Sequence, residues 1–292
     1  MIKQILTIAA ALALSTGIAA ASDGLKKLLT PAELTALDDI TIVDIRDEDA
    51  YATGHIPEAV NAPYAKWRGP ADNPGAVISD EALTTLLQGV GLEHGDRVVV
   101  AHSGVDQTDF GAAARVYWTL KSAGFTALAI LNGGVRSWIA AGEPLSVEIA
   151  SVTPSTESFK LSKTWLADAD EVASIISGNT KGTLLDARPG AFFKGETKHP
   201  AAKTAGTLAG AKSFPFEGWF QGDPTLVAAG NADEVASRVD SEGEVVSFCN
   251  TGHWAATNWF ALSELAGKDN VKLYPESMVG WVNGGHEAVN GQ

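Results

Sequence analysis

Cysteine and positive charge are both scarce in this sequence. Cys249 is the only cysteine among 292 residues, which excludes an intramolecular disulfide. Lysine and arginine together number 21 against 35 acidic residues, giving a formal net charge of −14. Because phosphate groups and anionic lipids are bound by clustered cations, neither nucleic acid nor an anionic membrane surface is expected as a partner.

The hydrophobic run at the N-terminus is short. Lys3 precedes the apolar stretch 5–14, and Ala19-Ala20-Ala21 offers a cleavage site of the A-x-A type. Residues 1–21 are therefore predicted to be a signal peptide cleaved near Ala21, which gives an exported, periplasmic protein. The run is too short and too rich in alanine for a convincing membrane span, and an uncleaved anchor is the alternative. A lone thiol is a liability in an oxidising compartment, so its presence favours a chemical role.

Predicted strands alternate with predicted helices along the rest of the chain. A capping box at 30–33, with proline at the first helical position, starts the first helix. Apolar and β-branched runs predict further elements: strands at 40–43, 98–101 and 128–131, and helices at 79–87 and 111–123. This alternation is typical of parallel βαβ units, so we expect an open α/β sheet with helices on both faces.

The second half of the chain repeats the order of motifs in the first half. Asp186-Ala187-Arg188 matches Asp44-Ile45-Arg46, and the strand that ends at Cys249 matches the strand that ends at His102. Further matched pairs are Gly124 with Gly267, Leu131 with Tyr274, and Trp138 with Trp281. These matches indicate an internal duplication. The predicted units are an N-terminal domain at 22–147, a linker at 148–160 and a C-terminal domain at 161–292.

Cys249 follows a predicted buried strand and precedes a helix predicted from about Trp254 to Ala266. Unpaired backbone N–H groups and the positive end of a helix dipole favour a thiolate at this position over a thiol. A thiolate is a nucleophile, so the spacing indicates a reactive cysteine. A buried structural cysteine is the alternative.

Taken together, the motifs resemble those of a tandem-domain rhodanese, a family of sulfurtransferases. The motifs that carry this resemblance are Asp44-x-Arg46 with Gly54-His55-Ile56-Pro57, Leu131-Asn132-Gly133-Gly134 with Trp138, and the Cys249 loop. The resemblance implies two rhodanese-like domains, each a small doubly wound parallel sheet. It also implies that only the second domain is catalytic, because His102 occupies the position of the cysteine in the first.

The resemblance further implies a persulfide mechanism without a cofactor or a metal ion. The Cys249 thiolate takes sulfur from thiosulfate or 3-mercaptopyruvate and passes it to a small acceptor, cyanide or a thiol, with a protein acceptor as another option. Backbone amides of the following loop are expected to hold the sulfur anion, and Gly252 allows the φ angles that this needs. The residues of this loop are Asn250, Thr251, Gly252, His253, Trp254 and Ala255.

The identity of the donor is left open. The resemblance implies an arginine that binds the donor, but Phe192 stands at its position here, so Arg188 and Lys194 become candidates for substrate binding. A hydroxyl–His–Asp relay assigned to mercaptopyruvate-type members maps onto Thr251, His55 and Asp44. The alternative is that Asp44 and His55 hold the loop and sheet in place.

His253 is expected to be an exposed loop residue without a catalytic task, and electrostatic support of the thiolate is the alternative.

Three other functions are alternatives to a sulfurtransferase. A phosphatase of the Cys-x5-Arg type is disfavoured, because the sixth residue after Cys249 is Ala255 and no guanidinium is available for a phosphoryl group. A metal site that includes Cys249 is disfavoured because zinc would silence the nucleophile. A sulfur carrier that serves a partner protein without turnover is the remaining alternative, and the missing donor-binding arginine favours it.

Overall fold

The computed structural model describes residues 25–239 and 243–292, so the predicted signal peptide at 1–21 lies outside the described residues. The first half forms one parallel sheet in the order β1-β5-β4-β2-β3. Its strands are β1 (Leu28–Leu29), β2 (Thr41–Asp44), β3 (Val60–Asn61), β4 (Arg97–Ala101) and β5 (Ala127–Leu131). Its helices are α1 (Pro31–Thr35), α2 (Glu48–Thr53), α3 (Asp80–Gly89), α4 (Gln107–Ser122) and α5 (Gly134–Ala140), with a 3₁₀ turn at Tyr64–Trp67.

The second half repeats this plan with a parallel sheet in the order β7-β6-β8-β9. Its strands are β6 (Gly182–Asp186), β7 (Lys212–Ser213), β8 (Glu244–Phe248) and β9 (Val271–Leu273). Its helices are α6 (Ala169–Ile176), α7 (Gly190–Phe193), α8 (Ala232–Ala236), α9 (His253–Phe260) and α10 (Ser277–Asn283). Helix α9 continues into a π-helical turn at Ala261–Leu265, and 3₁₀ turns lie at Phe216–Trp219 and Ala229–Asn231.

Each sheet is covered on both faces, as the alternation of side chains along its central strand requires. In β4, Val98 and Val100 belong to one apolar cluster and Val99 to another. In β8, Val245 faces the first cluster and Val246 a third. The prediction of two doubly wound α/β domains is therefore confirmed.

The two halves share one apolar cluster, because the equivalent helices α4 and α9 pack directly against each other. Phe110 and Tyr117 of α4 contact the Phe260 ring edge-on, at centroid distances of 5.8 and 5.0 Å. Gly111 permits the close approach, since a Cβ atom there would lie 3.0 Å from the backbone of His253. Cys249, at the N-terminal end of α9, is thereby brought to the junction of the halves.

The segment 148–160 contains no helix or strand and lies along α3 of the first half. Phe159 is buried, and its N–H donates to Thr84 Oγ1 at 3.0 Å. Gln88 Nε2 donates to the Glu157 carbonyl at 2.9 Å. Among the helices of the described ranges, none combines the length and hydropathy that a membrane span requires.

Candidate active site

Cys249 is the first residue after β8 and lies beside a cavity of about 610 Å³ between the two halves. Its exposed fraction is 1%, so it lies at the base of this cavity rather than on the surface. The first half contributes Arg68 and Thr108 to the wall, and the second half contributes His199 and Trp254. A ligand that enters the cavity would therefore contact both halves and the loop that carries the thiol.

Gly252 directs a backbone N–H at the sulfur. Its φ of +84° lies in the left-handed region, which glycine adopts without a steric penalty, and its N–H lies 3.1 Å from Cys249 Sγ. Helix α9 begins at the next residue, so the positive end of its dipole also faces the sulfur. Of the loop amides at 250–255, Gly252 is the one that donates to Sγ in the part of the chain that the structure describes.

The backbone of the Cys249 loop is held by the N-terminal end of α10. The N–H groups of Met278 and Val279 donate to the carbonyls of Cys249 and Asn250, each at 3.0 Å. Ser277 Oγ accepts the N–H of Cys249 at 3.0 Å and donates to the Tyr274 carbonyl at 2.8 Å. Ser277 has a φ of +52°, which is unfavourable for a residue with a Cβ atom, so these two hydrogen bonds stabilise a strained turn.

Arg115, on α4 of the first half, places a buried positive charge beneath the same loop. It is 2% exposed, and Nη2 donates to the Gly75 carbonyl at 3.1 Å, while Nε has no partner. Burial lowers the pKa of Arg115 to about 10, so the guanidinium stays protonated at neutral pH. A Cβ atom on Gly252 would collide with Arg115 Nη1, so the guanidinium lies against the loop that holds the sulfur. Within the described residues no carboxylate forms an ion pair with it, and a sulfur anion on Cys249 would supply the compensating charge.

His253 is half-buried rather than exposed, so the prediction of an exposed loop histidine is wrong. The packing of α4 against α9 covers it: its backbone meets Gly111, and its ring lies 5.1 Å from that of Tyr64. Its Nε2 is buried without a partner, and burial lowers the pKa of His253 to about 3. The imidazole is therefore neutral at physiological pH and adds no positive charge next to Cys249.

Trp254 forms an aromatic wall on one side of the cavity. Its ring stacks on Phe216 at 5.0 Å and meets Phe192 edge-on at 5.8 Å. Its Nε1 donates to Thr108 Oγ1 of the first half at 3.0 Å. Ala255 is buried behind this wall, in the core.

Neither Arg188 nor Lys194 is placed to bind a substrate. Arg188 is buried; it donates to Asp186, to the Gly206 carbonyl and, at 3.3 Å, to Asn250 Oδ1. Phe192 covers it, with its ring centre 5.7 Å from the guanidinium carbon. Arg188 therefore positions the loop through Asn250. Lys194 is exposed and does not line the cavity.

The Thr251–His55–Asp44 relay is not assembled. The Asp44 carboxylate accepts hydrogen bonds from the side chain of Arg46, the shortest at 2.6 Å. The two ring nitrogens of His55 lie 2.9 and 3.0 Å from the carbonyls of Tyr51 and Glu148. With both nitrogens occupied by main-chain groups, His55 ties the linker to the first half instead of serving Thr251.

The equivalent loop in the first half is filled by a carboxylate. Asp109 Oδ2 accepts hydrogen bonds from the backbone N–H groups of Gly104 and Val105, and lies 2.9 Å from His102 Nδ1. Burial opposes the charge on Asp109, but the hydrogen bond and charge of His102 and the two amides outweigh it and lower the pKa of this carboxyl. His102 itself is completely buried, with Nε2 unpartnered.

A model of the Rhodanese-like domain matches this chain twice, over residues 27–141 and 168–284. The chain belongs to the rhodanese family. Both copies of the rhodanese domain coincide with the two sheets described above, which accounts for the duplication. Within the described ranges, this rhodanese contains no group of three or more His, Cys, Asp or Glu side chains suited to a metal ion.

Relatives of this rhodanese are named for two kinds of sulfur chemistry. A Synechococcus elongatus protein named for thiosulfate sulfurtransferase is 28% identical over 90% of this chain and 84% of its own length. A Mycobacterium bovis protein with the same kind of name is 31% identical over 79% and 84%. The sulfur carrier protein TtuD of Thermus thermophilus is 29% identical over 81% and 86%. The family and these names together indicate a sulfurtransferase.

Solved structures with the same fold include an ergothioneine-forming enzyme. The anaerobic ergothioneine biosynthesis enzyme of Chlorobium limicola matches with a TM-score of 0.77 and 20% identity, over 91% of this chain and 71% of that one. A variant of EanB in complex with ergothioneine gives a TM-score of 0.79 at 20% identity, over 91% and 70%. At this identity the likeness concerns the fold alone.

Proposed function

We propose that this protein moves sulfane sulfur from thiosulfate or 3-mercaptopyruvate to cyanide or a thiol through a persulfide on Cys249. The observation that carries the proposal is the position of Cys249 Sγ, at the base of a cavity and 3.1 Å from the Gly252 N–H. The start of α9 and the buried Arg115 support it, because both favour negative charge on the sulfur.

In the first step the Cys249 thiolate attacks the transferable sulfur of the donor and forms an S–S bond. With thiosulfate, the donor's S–S bond breaks and sulfite leaves with the electron pair. With 3-mercaptopyruvate, the C–S bond breaks, and the pyruvate carbanion equivalent takes up a proton. In the second step the acceptor attacks the outer sulfur of the persulfide, and Cys249 leaves as a thiolate. Cyanide becomes thiocyanate, and a thiol becomes a persulfide.

The test is a donor panel with the intact mass of the protein as the readout. The mature protein is mixed with thiosulfate, 3-mercaptopyruvate or a polysulfide, and the gain of one sulfur atom is followed before and after addition of cyanide or a thiol. We expect loading followed by multiple turnover, and neither in Cys249→Ser with the fold retained by circular dichroism. Undiminished turnover in Cys249→Ser would exclude the persulfide at this residue.

A sulfur carrier without turnover is the second candidate. Phe192 covers Arg188, so no guanidinium of the second half, as far as its residues are described, lines the cavity. One relative carries the name of a sulfur carrier. Stable loading that neither cyanide nor a small thiol discharges, but that a partner protein does, would favour the carrier over the enzyme.

We also propose that the protein acts in the periplasm after removal of residues 1–21. The support is the basic, apolar and small-residue pattern of that segment. N-terminal sequencing of the protein from a periplasmic extract should begin near Ser22, and an intact Met1 would contradict this proposal.

A further inference from the structure

The cavity beside Cys249 holds one permanent charge. Among the side chains that line it, Arg68 is the only lysine, arginine, aspartate or glutamate within the described residues. The two histidines of the wall do not add to that charge at neutral pH. Burial lowers the pKa of His253 to about 3, and burial together with Arg68 and Lys198 lowers the pKa of His199.

Three cations of the second half that are near in sequence to the cavity residue His199 bind protein groups instead of facing the cavity. Arg188 is bound to Asp186 beneath Phe192. Lys198 donates to the Ala202 carbonyl, and Lys203 donates to the Asn283 carbonyl at 3.0 Å. The described residues of the second half therefore place no fixed positive charge at the cavity wall.

Arg68 is held in place by contacts that leave its charge uncompensated. It follows the 3₁₀ turn of the first half, and its guanidinium carbon lies 5.3 Å from the centre of the Tyr64 ring. Its Nη2 lies 3.5 Å from the carbonyl of Thr251, two residues after the nucleophile. No carboxylate among the described residues forms an ion pair with it. A half-buried guanidinium that faces a cavity without a counter-ion suits a ligand carboxylate or sulfonate.

We infer that Arg68 of the first half binds the anionic group of the sulfur donor and orients the transferable sulfur towards Cys249. The identification of the ligand as a sulfur donor rests on the proposed function. The anion site itself does not depend on that function. One fixed charge, an aromatic wall at Trp254 and a volume of about 610 Å³ suit an organic sulfur compound with a single acidic group. Arg68 thus takes the place of the donor-binding arginine that Phe192 replaces.

The test compares two reagents that alkylate Cys249 by the same chemistry and differ in charge. With iodoacetate and with iodoacetamide alike, an S–C bond forms, the C–I bond breaks and iodide leaves with the electron pair. In Arg68→Gln we expect the rate constant with anionic iodoacetate to fall about ten-fold, and that with neutral iodoacetamide to change less than two-fold. Arg68→Lys should recover part of the loss, because it keeps the charge.

Lys66→Gln is the matched control. Lys66 lies two residues before Arg68 and pairs with Glu48 at the surface, so this variant loses the same net charge outside the cavity. We expect it to react with both reagents as the wild type does. An equal fall with both reagents in Arg68→Gln, no fall with either, or the same selective fall in Lys66→Gln would overturn the inference.

Donor kinetics then separate this inference from the proposed function. If 3-mercaptopyruvate is turned over, its KM should rise about ten-fold or more in Arg68→Gln, with a smaller change in kcat. An unchanged KM would contradict donor binding by Arg68. A selective loss of iodoacetate reactivity in a protein that accepts sulfur from no donor would support the anion site and reject the proposed function.

Discussion

The two halves of the molecule carry the same strand–loop–helix unit, and in each a side chain accepts hydrogen bonds from the amides of its loop. In the second half this acceptor is the sulfur of Cys249, next to the Gly252 N–H. In the first half it is the carboxylate of Asp109, bound by the N–H groups of Gly104 and Val105. In both copies the loop thus directs backbone N–H groups at an acceptor, and the copies differ in the residue that begins the loop, His102 in the first and Cys249 in the second.

The halves also differ in where their buried and half-buried arginines lie. The first half, which has no nucleophile in its own loop, sends Arg115 beneath the Cys249 loop and Arg68 into the cavity wall. The second half keeps its own ion pair, Arg188 with Asp186, for internal positioning. The cavity beside Cys249 is therefore composite: one half holds the sulfur, and the other supplies the two arginines next to it.

Removal of the charge beneath the loop should have the largest effect. In Arg115→Met we expect the rate of Cys249 alkylation by neutral iodoacetamide, and of sulfur loading, to fall about 10- to 100-fold, because an electrostatic stabiliser of the sulfur anion is lost. Thermal unfolding should change little, since an apolar side chain of similar length replaces an unpaired buried cation. An unchanged alkylation rate would mean that Arg115 contributes only packing.

Removal of the carboxylate from the first loop should affect stability and leave the chemistry intact. In Asp109→Ala the two loop amides and His102 lose their common partner, and we expect a loss of about 2 kcal/mol in the free energy of unfolding. The pKa of Asp109 is lowered in the folded protein, so its carboxylate stabilises the fold at pH values above the ordinary pKa of the carboxyl. This stabilisation is lost as the pH falls below that ordinary pKa and through the lowered pKa of the folded protein. Urea unfolding at pH 7 and pH 3.5 should therefore show a smaller difference between variant and wild type at the lower pH.

Cys249 alkylation serves as the control for this variant, and its rate should stay within two-fold of the wild type. A fall of ten-fold or more would show that the two loops are coupled rather than independent copies.

The smallest expected effect concerns His253. The pKa of His253 is lowered to about 3 in the folded protein, whereas in the unfolded chain it has its ordinary value of 6.5. Between these two pH values only the unfolded chain takes up the proton, so the wild type loses stability as the pH falls from 6.5 towards 3. His253→Asn removes this contribution to the pH dependence. The partial exposure of the residue reduces the contribution, and we expect the variant to lose about 1 kcal/mol less than the wild type between pH 7 and pH 4.5. Urea unfolding of both proteins at pH 7 and pH 4.5 measures this difference. A larger loss of unfolding free energy in the variant than in the wild type would show that the His253 ring is protonated in the folded protein.

Features that depend on neighbouring residues could be predicted from the sequence. The capping box of α1 forms as expected, with Glu33 N–H donating to Thr30 Oγ1, and Gly252 has the left-handed backbone that the loop requires. Helix α4 begins at Gln107, four residues earlier than predicted, because Asp106 caps it by accepting the N–H of Asp109 at 2.8 Å. The capping residue lies in the stretch between the predicted strand at 98–101 and the predicted helix at 111–123.

Features that depend on the packing of one half on the other could not be predicted in this way. Arg68 and Arg115 reach the site through tertiary contacts, and no local pattern connects them with Cys249. The partial burial of His253 has the same origin. Ser277 did leave a signal: Gly134 occupies the equivalent place in the first half with a φ of +58°, so a serine there indicates a side chain with a specific task.

The close fit of Gly75 against Pro275 and Glu276, where a Cβ atom would have no room, has a consequence for any attempt to simplify the protein. A single-domain version made by cutting the chain in the linker would keep its nucleophile, but it would lose both guanidinium groups and expose Trp259 and Phe260 to water. We expect such a fragment to aggregate, because large exposed apolar patches promote association. A minimal version of the protein would have to be designed with a substitute for the missing partner surface.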